Sequence, residues 1–270
     1  MANQSKIKVC VAGATGWAGS ELAKAIAASE ELELVAAISR QHAGKSLNEV
    51  LDIAGNKIPV FATIEEALAV PCDVLVEYTK PGVAKHHILT AIAKGVNVVV
   101  GTSGLSDEDY EEIGIKAAAH QQSVLAVGNF AISVVLLNKF AEMAARYMSN
   151  WEIIDYASAG KIDAPSGSAR ELAYRLSQVK KQELQVPVEN TQGVKETRGA
   201  DLNGTRVHSL RLPGFVISLE TIFGMPDEKL ILKHEAGNSS KPYVTGAFLA
   251  IKKVNSFTGL KRGLDSVMDL

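Results

Sequence analysis

At 270 residues, 47% of them hydrophobic and 21% charged, the chain has the composition of a globular protein and is long enough for one large or two modest domains, each with a core. The formal net charge of −2 at pH 7 gives no electrostatic ground for nucleic acid as a partner. No apolar run reaches the roughly 18 residues that span a bilayer, residues 1–6 carry no signal-peptide pattern, and Cys10 and Cys72 sit in or beside strand-like segments as two reduced thiols, so a cytoplasmic protein without a membrane partner is expected.

Residues 6–12 form a short β-branched run that glycines at 13, 16 and 19 punctuate, and residues 20–28 then place Leu22, Ala23, Ile26 and Ala27 on one helical face. Further strands are predicted at 32–38, 73–77, 96–100 and 123–127, separated by helical patterns. That alternation indicates βαβ units and a parallel sheet with right-handed crossovers. The near-continuous apolar character of VNVVV and SVLAV suits strands covered on both faces. After Asn129 the rhythm changes. A long helix at 133–147, a strand at 151–156 and a helix at 167–177 precede a polar stretch, 180–203, read mainly as loop. Three strand-like runs, 206–212, 216–223 and 229–234, are divided by Pro213-Gly214 and Met225-Pro226-Asp227 and read as an antiparallel meander joined to the strand at 151. A last helix, 242–253, returns toward the first domain.

Gly13-Ala14-Thr15-Gly16-Trp17-Ala18-Gly19 is a G-x-x-G-x-x-G variant of the dinucleotide fingerprint, set between a strand and a helix. Its glycines suit a tight turn, close approach to a diphosphate and helix–strand packing, and the helix start offers free N–H groups to phosphate; a glycine-rich turn without a ligand is the plainer alternative. Gly13, Thr15, Gly16, Trp17 and Ala18 are therefore candidate cofactor residues. About 20 residues beyond the last glycine, where an NAD-selective site would place Asp or Glu, the chain has Ser39-Arg40, with Lys45 nearby. Arg40 suits a 2′-phosphate, so NADPH is the expected cofactor, with NADH as the alternative.

The segment Lys161-Ile162-Asp163-Ala164-Pro165-Ser166-Gly167-Ser168-Ala169 combines a cation, a helix start and two hydroxyls, which suits a carboxylate-binding pocket and suits equally an ordinary N-capped helix beside a surface lysine. None of the six histidines shows metal-ligand spacing with Cys, Asp or Glu, and no metal is expected. His86 and His87, being adjacent, read as helix surface or packing, and His234 as either a cleft residue or a structural one.

At this segment the chain resembles the dihydrodipicolinate reductases, lysine-pathway enzymes that reduce a cyclic dicarboxylate with NAD(P)H and carry a K-x-D-A-P-S-G-[ST]-A motif. Glu77-Tyr78-Thr79-Lys80-Pro81 is similar to the family's D-F-[ST]-x-P, Gly101-Thr102-Ser103-Gly104 to its G-T-[ST]-G, and Asn129-Phe130 to its N-[FY]-S; residues 230–234 and Ser239-Ser240 are similar to its late strand and return. The resemblance implies an α/β fold: a Rossmann dinucleotide-binding domain from residues 1–129 plus 240–270, and a smaller α+β substrate-binding and oligomerisation domain, 130–239. That domain's open mixed or antiparallel sheet would mediate a homo-oligomer, a tetramer or dimer. It also implies that Gly13, Thr15, Gly16, Tyr78, Thr79, Gly101 and Ser103, with the Asn129-Phe130 pair, line the cofactor. Lys161, Ser166, Gly167 and Ser168 would hold substrate oxygens, and Thr102 would adjoin nicotinamide and substrate.

Where the family carries H-H-x-x-K, with one histidine proposed as proton donor, this chain reads Ala157-Ser158-Ala159-Gly160-Lys161. Alanine transfers no proton and serine is a poor acid. Trp17 replaces a basic loop residue, Leu219-Glu220 stands where Glu-His is frequent, and Lys241 stands at the arginine of the late Ser-Arg pair. Lys161 becomes the candidate catalytic residue, as an acid whose pKa an apolar wall would lower, with Tyr156 or solvent as other proton sources. The favoured reading is an NAD(P)H-dependent reductase acting on a C=N or conjugated C=C bond of a small carboxylated, cyclic substrate, as a divergent paralogue. The alternatives are an authentic reductase of the lysine pathway and a non-catalytic NAD(P)H-binding regulatory protein. A likeness of the Gly13 loop to that of acyl-phosphate reductases is rejected, because no cysteine follows Cys72.

Overall fold

In chain order the elements are β1 (Ile7–Ala12), α1 (Trp17–Ala27), β2 (Leu32–Ile38), α2 (Leu47–Leu51), β3 (Val60–Phe61), α3 (Ile64–Ala67), β4 (Val74–Glu77), α4 (Pro81–Ala93), β5 (Asn97–Val100), α5 (Asp107–Ala119) and β6 (Ser123–Ala126). They continue with α6 (Ile132–Ala145), β7 (Asn150–Ala157), α7 (Gly167–Val179), β8 (Ala200–Leu202), β9 (Thr205–Arg211), β10 (Ile217–Met225), β11 (Glu228–Ala236), α8 (Lys241–Lys253) and β12 (Gly259–Arg262). The computed structural model describes residues 5–270; residues 1–4, on which most of the leader reading falls, lie outside the described residues. The chain forms two compact units, one from its start to Ile132 together with Ser240–Leu270, the other Ser133–Ser239.

The first unit is built on a seven-stranded sheet ordered β12-β6-β5-β4-β1-β2-β3, parallel at every pairing. β4 and β6 are buried at every position, both faces being covered, which suits their near-continuous apolar sequences, with only the terminal Glu77 and Ser123 polar. In α1 the buried residues are Gly19, Leu22, Ala23 and Ile26, the spacing of one helical face. The helix starts at Trp17, three residues before the periodic signal, because its first turn is drawn from the glycine loop itself. The short strands β3 and β12, one at each edge of the sheet, were not predicted.

The second unit holds a five-stranded sheet ordered β11-β10-β7-β9-β8. The predicted three-stranded meander is not what forms. β7 lies between β9, to which it is parallel, and β10, to which it is antiparallel. The reason is a β7–α7–β9 crossover: a helix between two strands returns the chain to run alongside the first strand, so β9 lands parallel to β7 and β10 takes the other edge. Within the stretch read as loop, β8 pairs antiparallel with β9. β7 alternates strictly, with Trp151, Ile153, Asp155 and Ala157 buried, and Trp151 and Ile153 pack with Leu172, Ala173 and Leu176 of α7.

Candidate functional site

β1 pairs with β2 on one edge and β4 on the other, so the chain order reverses at the carboxyl end of β1, the place where open α/β sheets bind ligands. Gly13 follows β1 there and donates its N–H to the Ile38 carbonyl at 3.0 Å. Its φ is +79°, and a Cβ would lie 2.2 Å from the Tyr78 carbonyl oxygen. A Cβ on Gly19 would lie 2.1 Å from the Gly13 carbonyl oxygen, so α1 packs directly on the turn. Gly16 is the N-cap of α1 and supplies no side-chain cap, and the first turn carries no acidic residue. The amides of that turn lack intrahelical acceptors, as in any helix, and the helix dipole adds partial positive charge. This backbone cradle, which side chains would fill, fits the diphosphate of a nicotinamide dinucleotide.

Beside it is a cavity of about 260 Å³. Nine residues expected from the sequence line it: Trp17, Ala18, Tyr78, Thr79, Gly101, Thr102, Ser103, Asn129 and Phe130. Gly13, Thr15 and Gly16 are not among its lining residues; they belong to the adjoining turn. Tyr243, which the sequence did not single out, also contributes, and Trp17, 58% exposed, stands edge-on to it with ring centres 5.7 Å apart. Gly101 is small for a packing reason: a Cβ would come within 2.0 Å of the Tyr78 ring, which also meets Phe130 edge-on at 5.4 Å. The buried Tyr78 hydroxyl has no hydrogen-bond partner among the described residues, and burial holds its pKa well above the ordinary phenol value. At the end of β2, the Thr15 and Ser39 hydroxyls are 2.9 Å apart, and the exposed Arg40 makes no ion pair among the described residues.

In the second unit, Lys161 forms an ion pair with Asp163 at 2.7 Å and is about one-third exposed (34%). Tyr156, the other side chain considered as a proton source, is held by a carboxylate. It lies on the opposite face of β7 from Ala157 and donates its hydroxyl to Glu220 at 3.0 Å. The Ala164–Pro165 bond is cis, and Ser166 caps α7 by accepting from the Ala169 N–H at 3.3 Å, so one of the two hydroxyls assigned to substrate is engaged by the helix. Gly167 has open space where a Cβ would be, with nothing within 4 Å, and Ser168 follows it in the first turn.

What fixes this segment is a buried pair the sequence reading missed. The Asp155 carboxylate, on the apolar face of β7, accepts from the Ser166 N–H (2.8 Å), the Ser209 hydroxyl (3.2 Å) and Arg211 (2.7 Å). Arg211 also donates to the Asp163 carbonyl at 2.7 Å, so the loop between Lys161 and α7 is held at both ends. Burial raises the Asp155 pKa, but the Arg211 guanidinium and the Ser166 N–H outweigh it and hold the carboxyl below the usual range.

The histidines divide as expected for a structural set. His86 is exposed against Glu65, His87 is buried against Glu77, and His234 bonds the Ser133 hydroxyl at 2.9 Å while burial lowers its pKa. Among the described residues no cluster of three or more His, Cys, Asp or Glu is arranged to hold a metal, and no helix is long and apolar enough to cross a membrane.

Sequence models of dihydrodipicolinate reductase match the chain in two parts, the N-terminal model over residues 7–130 and the C-terminal model over 133–268. The 4-hydroxy-tetrahydrodipicolinate reductase of Halalkalibacterium halodurans is 36% identical over 264 residues, covering 97% of this chain and all of the relative. That of Bacillus pumilus is 35% identical over 270 residues, the whole of both chains. The solved structure of a dipicolinate-bound dihydrodipicolinate reductase from Paenisporosarcina sp. TG-14 matches with a TM-score of 0.87 at 29% identity, covering 98% of this chain and all of that one. The chain therefore belongs to the dihydrodipicolinate reductase family and is an NAD(P)H-dependent oxidoreductase.

Proposed function

We propose that the protein transfers hydride from NADPH to a C=N or conjugated C=C bond of a small, carboxylated, cyclic substrate, and that 4-hydroxy-tetrahydrodipicolinate, named in its whole-length relatives, is that substrate. The observation that carries this reading is the Lys161–Ser168 segment, pinned by Asp155 and Arg211 with a glycine where a side chain would have had room. A glycine that neither backbone strain nor packing requires fits a position a ligand approaches closely. Gly167 offers a first-turn amide, and Lys161 exchanges Asp163 for a substrate carboxylate. The reduced nicotinamide supplies the hydride. The proton that completes the reduction comes from Lys161 or from solvent, since the histidine pair is absent and the Tyr156 hydroxyl is donated to Glu220.

The absence of that pair, with Ala157 and Ser158 in its place, favours a second reading, a reductase of the same type with its own substrate. NADPH oxidation measured with 4-hydroxy-tetrahydrodipicolinate and with dihydrodipicolinate, then with a panel of cyclic imines, enones and quinones, separates the two. Cofactor binding without oxidation across the panel would overturn both in favour of a regulatory protein. With the working substrate, Lys161→Met is expected to lower kcat/KM about 100-fold; an unchanged kcat would leave Lys161 a binding group and not the acid.

NADPH is the preferred cofactor in this proposal because Ser39 and Arg40 stand where an NAD-selective site would place Asp or Glu. Arg40→Ala is expected to raise the KM for NADPH about tenfold while changing that for NADH less than about twofold, as loss of a bidentate phosphate contact requires. Equal changes for both would reject the assignment.

A further inference from the structure

Glu77 ends β4 and is fully buried, and neither the cradle nor the substrate segment uses it. An ionised carboxylate there is costly unless each oxygen is met by donors. Its Oε1 accepts from the Thr79 N–H at 3.0 Å, from the Thr79 hydroxyl and from the Thr102 hydroxyl at 3.2 Å, the last shared with the Glu77 main-chain carbonyl at 3.3 Å. Its Oε2 meets His87 Nδ1, which acts as the donor, at 3.0 Å. Thr79 and Thr102 both line the cavity. A hydroxyl has one hydrogen, and in both threonines it is committed to Glu77. What each oxygen has left to offer is lone pairs.

The position of this pair in the sheet indicates which part of a dinucleotide they meet. The end of β2 takes the adenosine ribose and the turn after β1 the diphosphate, which leaves the ends of β4 and β5, where Thr79 and Thr102 lie, for the nicotinamide. We infer that Glu77 is a positioning residue that turns Thr79 and Thr102 into acceptors for the amide hydrogens of the nicotinamide carboxamide, with His87 holding the carboxylate from behind. The inference rests on the cofactor reading of the cavity. It assigns to these two hydroxyls a polarity that a threonine free to rotate would not have.

The test compares two dinucleotides in the full-length protein: NADPH, and reduced 3-acetylpyridine adenine dinucleotide phosphate, in which a methyl group replaces the carboxamide NH₂. Affinities are read by fluorescence titration, with no turnover needed. Wild type is expected to bind NADPH about tenfold more tightly than the analogue, the size of two modest hydrogen bonds. The preference should fall to about threefold in Thr102→Val, which keeps the shape and loses one of the two acceptors, and persist in Thr102→Ser. In Glu77→Leu, which removes the side-chain acceptor of the Thr79 hydroxyl and leaves the Thr102 hydroxyl only the main-chain carbonyl, the preference should fall in part. Where Glu77→Leu fails to fold, the Thr102 pair decides. Wild type binding both dinucleotides equally, or Thr102→Val retaining the full preference, overturns the inference and leaves the cofactor site standing. Wild type binding neither removes the cofactor reading itself.

Discussion

Gly13→Ala is expected to weaken NADPH binding by at least about 100-fold, since a displacement of about 1 Å in a positioned group is enough for a loss of that size. Two effects coincide at this residue. Its φ of +79° places an L side chain in the left-handed region, at a cost of roughly 1–2 kcal/mol. The added methyl would also lie 2.2 Å from the Tyr78 carbonyl oxygen, which is backbone at the end of β4 and cannot swing aside as a side-chain tip would. Relief requires the turn to rise from the sheet, and α1 is carried with it because Gly19 packs on the Gly13 carbonyl. The cradle is thereby displaced from the wall formed by Tyr78 and Thr79. Gly95→Ala separates the two effects, since Gly95 has a φ of +77° and nothing within 4 Å of the added methyl. It should lose some stability and keep its NADPH affinity. A Gly13→Ala protein that bound NADPH within about threefold of wild type in a fluorescence titration would show that the turn is not the diphosphate site.

How much of this was legible in the sequence follows from how each part is held. The parallel sheet could be read because strands covered on both faces carry near-continuous apolar runs, as in residues 98–100 and 124–126. β3, two residues long, and β12, a Gly-Leu-Lys-Arg edge strand, carry no such run. Sequence periodicity reports the burial of a face, not which strand is the neighbour, so β9 and β10 were placed side by side although β7 separates them. The cavity was legible because its residues lie in short motifs at strand ends, where local glycine chemistry marks them. Asp155 and Arg211 meet across 56 positions of sequence, and no local pattern links them. One signal was available: in Trp-Glu-Ile-Ile-Asp-Tyr-Ala, Asp155 occupies an alternate position otherwise held by buried apolar residues, and a carboxylate there needs a partner. The proton donor stayed illegible for a chemical reason. The motif that names it is absent, and Lys161 is nominated by its place in the substrate segment rather than by a motif of its own.

That buried pair sets the second large effect. Asp155→Ala is expected to destabilise the second unit by about 3–5 kcal/mol, the usual cost of removing one partner from a buried ion pair. Arg211, 15% exposed, would be left with its charge uncompensated on that side, and the Ser166 N–H and Ser209 hydroxyl would lose their acceptor. The Lys161–Ser168 loop, held by the same carboxylate, should loosen, so the KM for substrate rises even where the unit remains folded. Asp155→Asn keeps an acceptor for Ser166 and loses the charge, and should fall between. Pairing Asp155→Ala with Arg211→Met should cost less than the sum of the two, because the second change removes the stranded cation. The pH dependence has a definite sign. The folded carboxyl titrates below the ordinary 3.8, so its contribution is complete above that value and is lost as pH falls through the lower, folded one. The gap between wild type and Asp155→Ala should therefore hold steady from neutrality down to about pH 4 and shrink below it. Trp151, buried in this unit with its indole N–H on Thr205 at 3.1 Å, reports unfolding in urea once Trp17, the other tryptophan, is replaced by Phe. A gap that widened on acidification, or a loss below about 1 kcal/mol at neutral pH, would mean that the pair does not hold the loop.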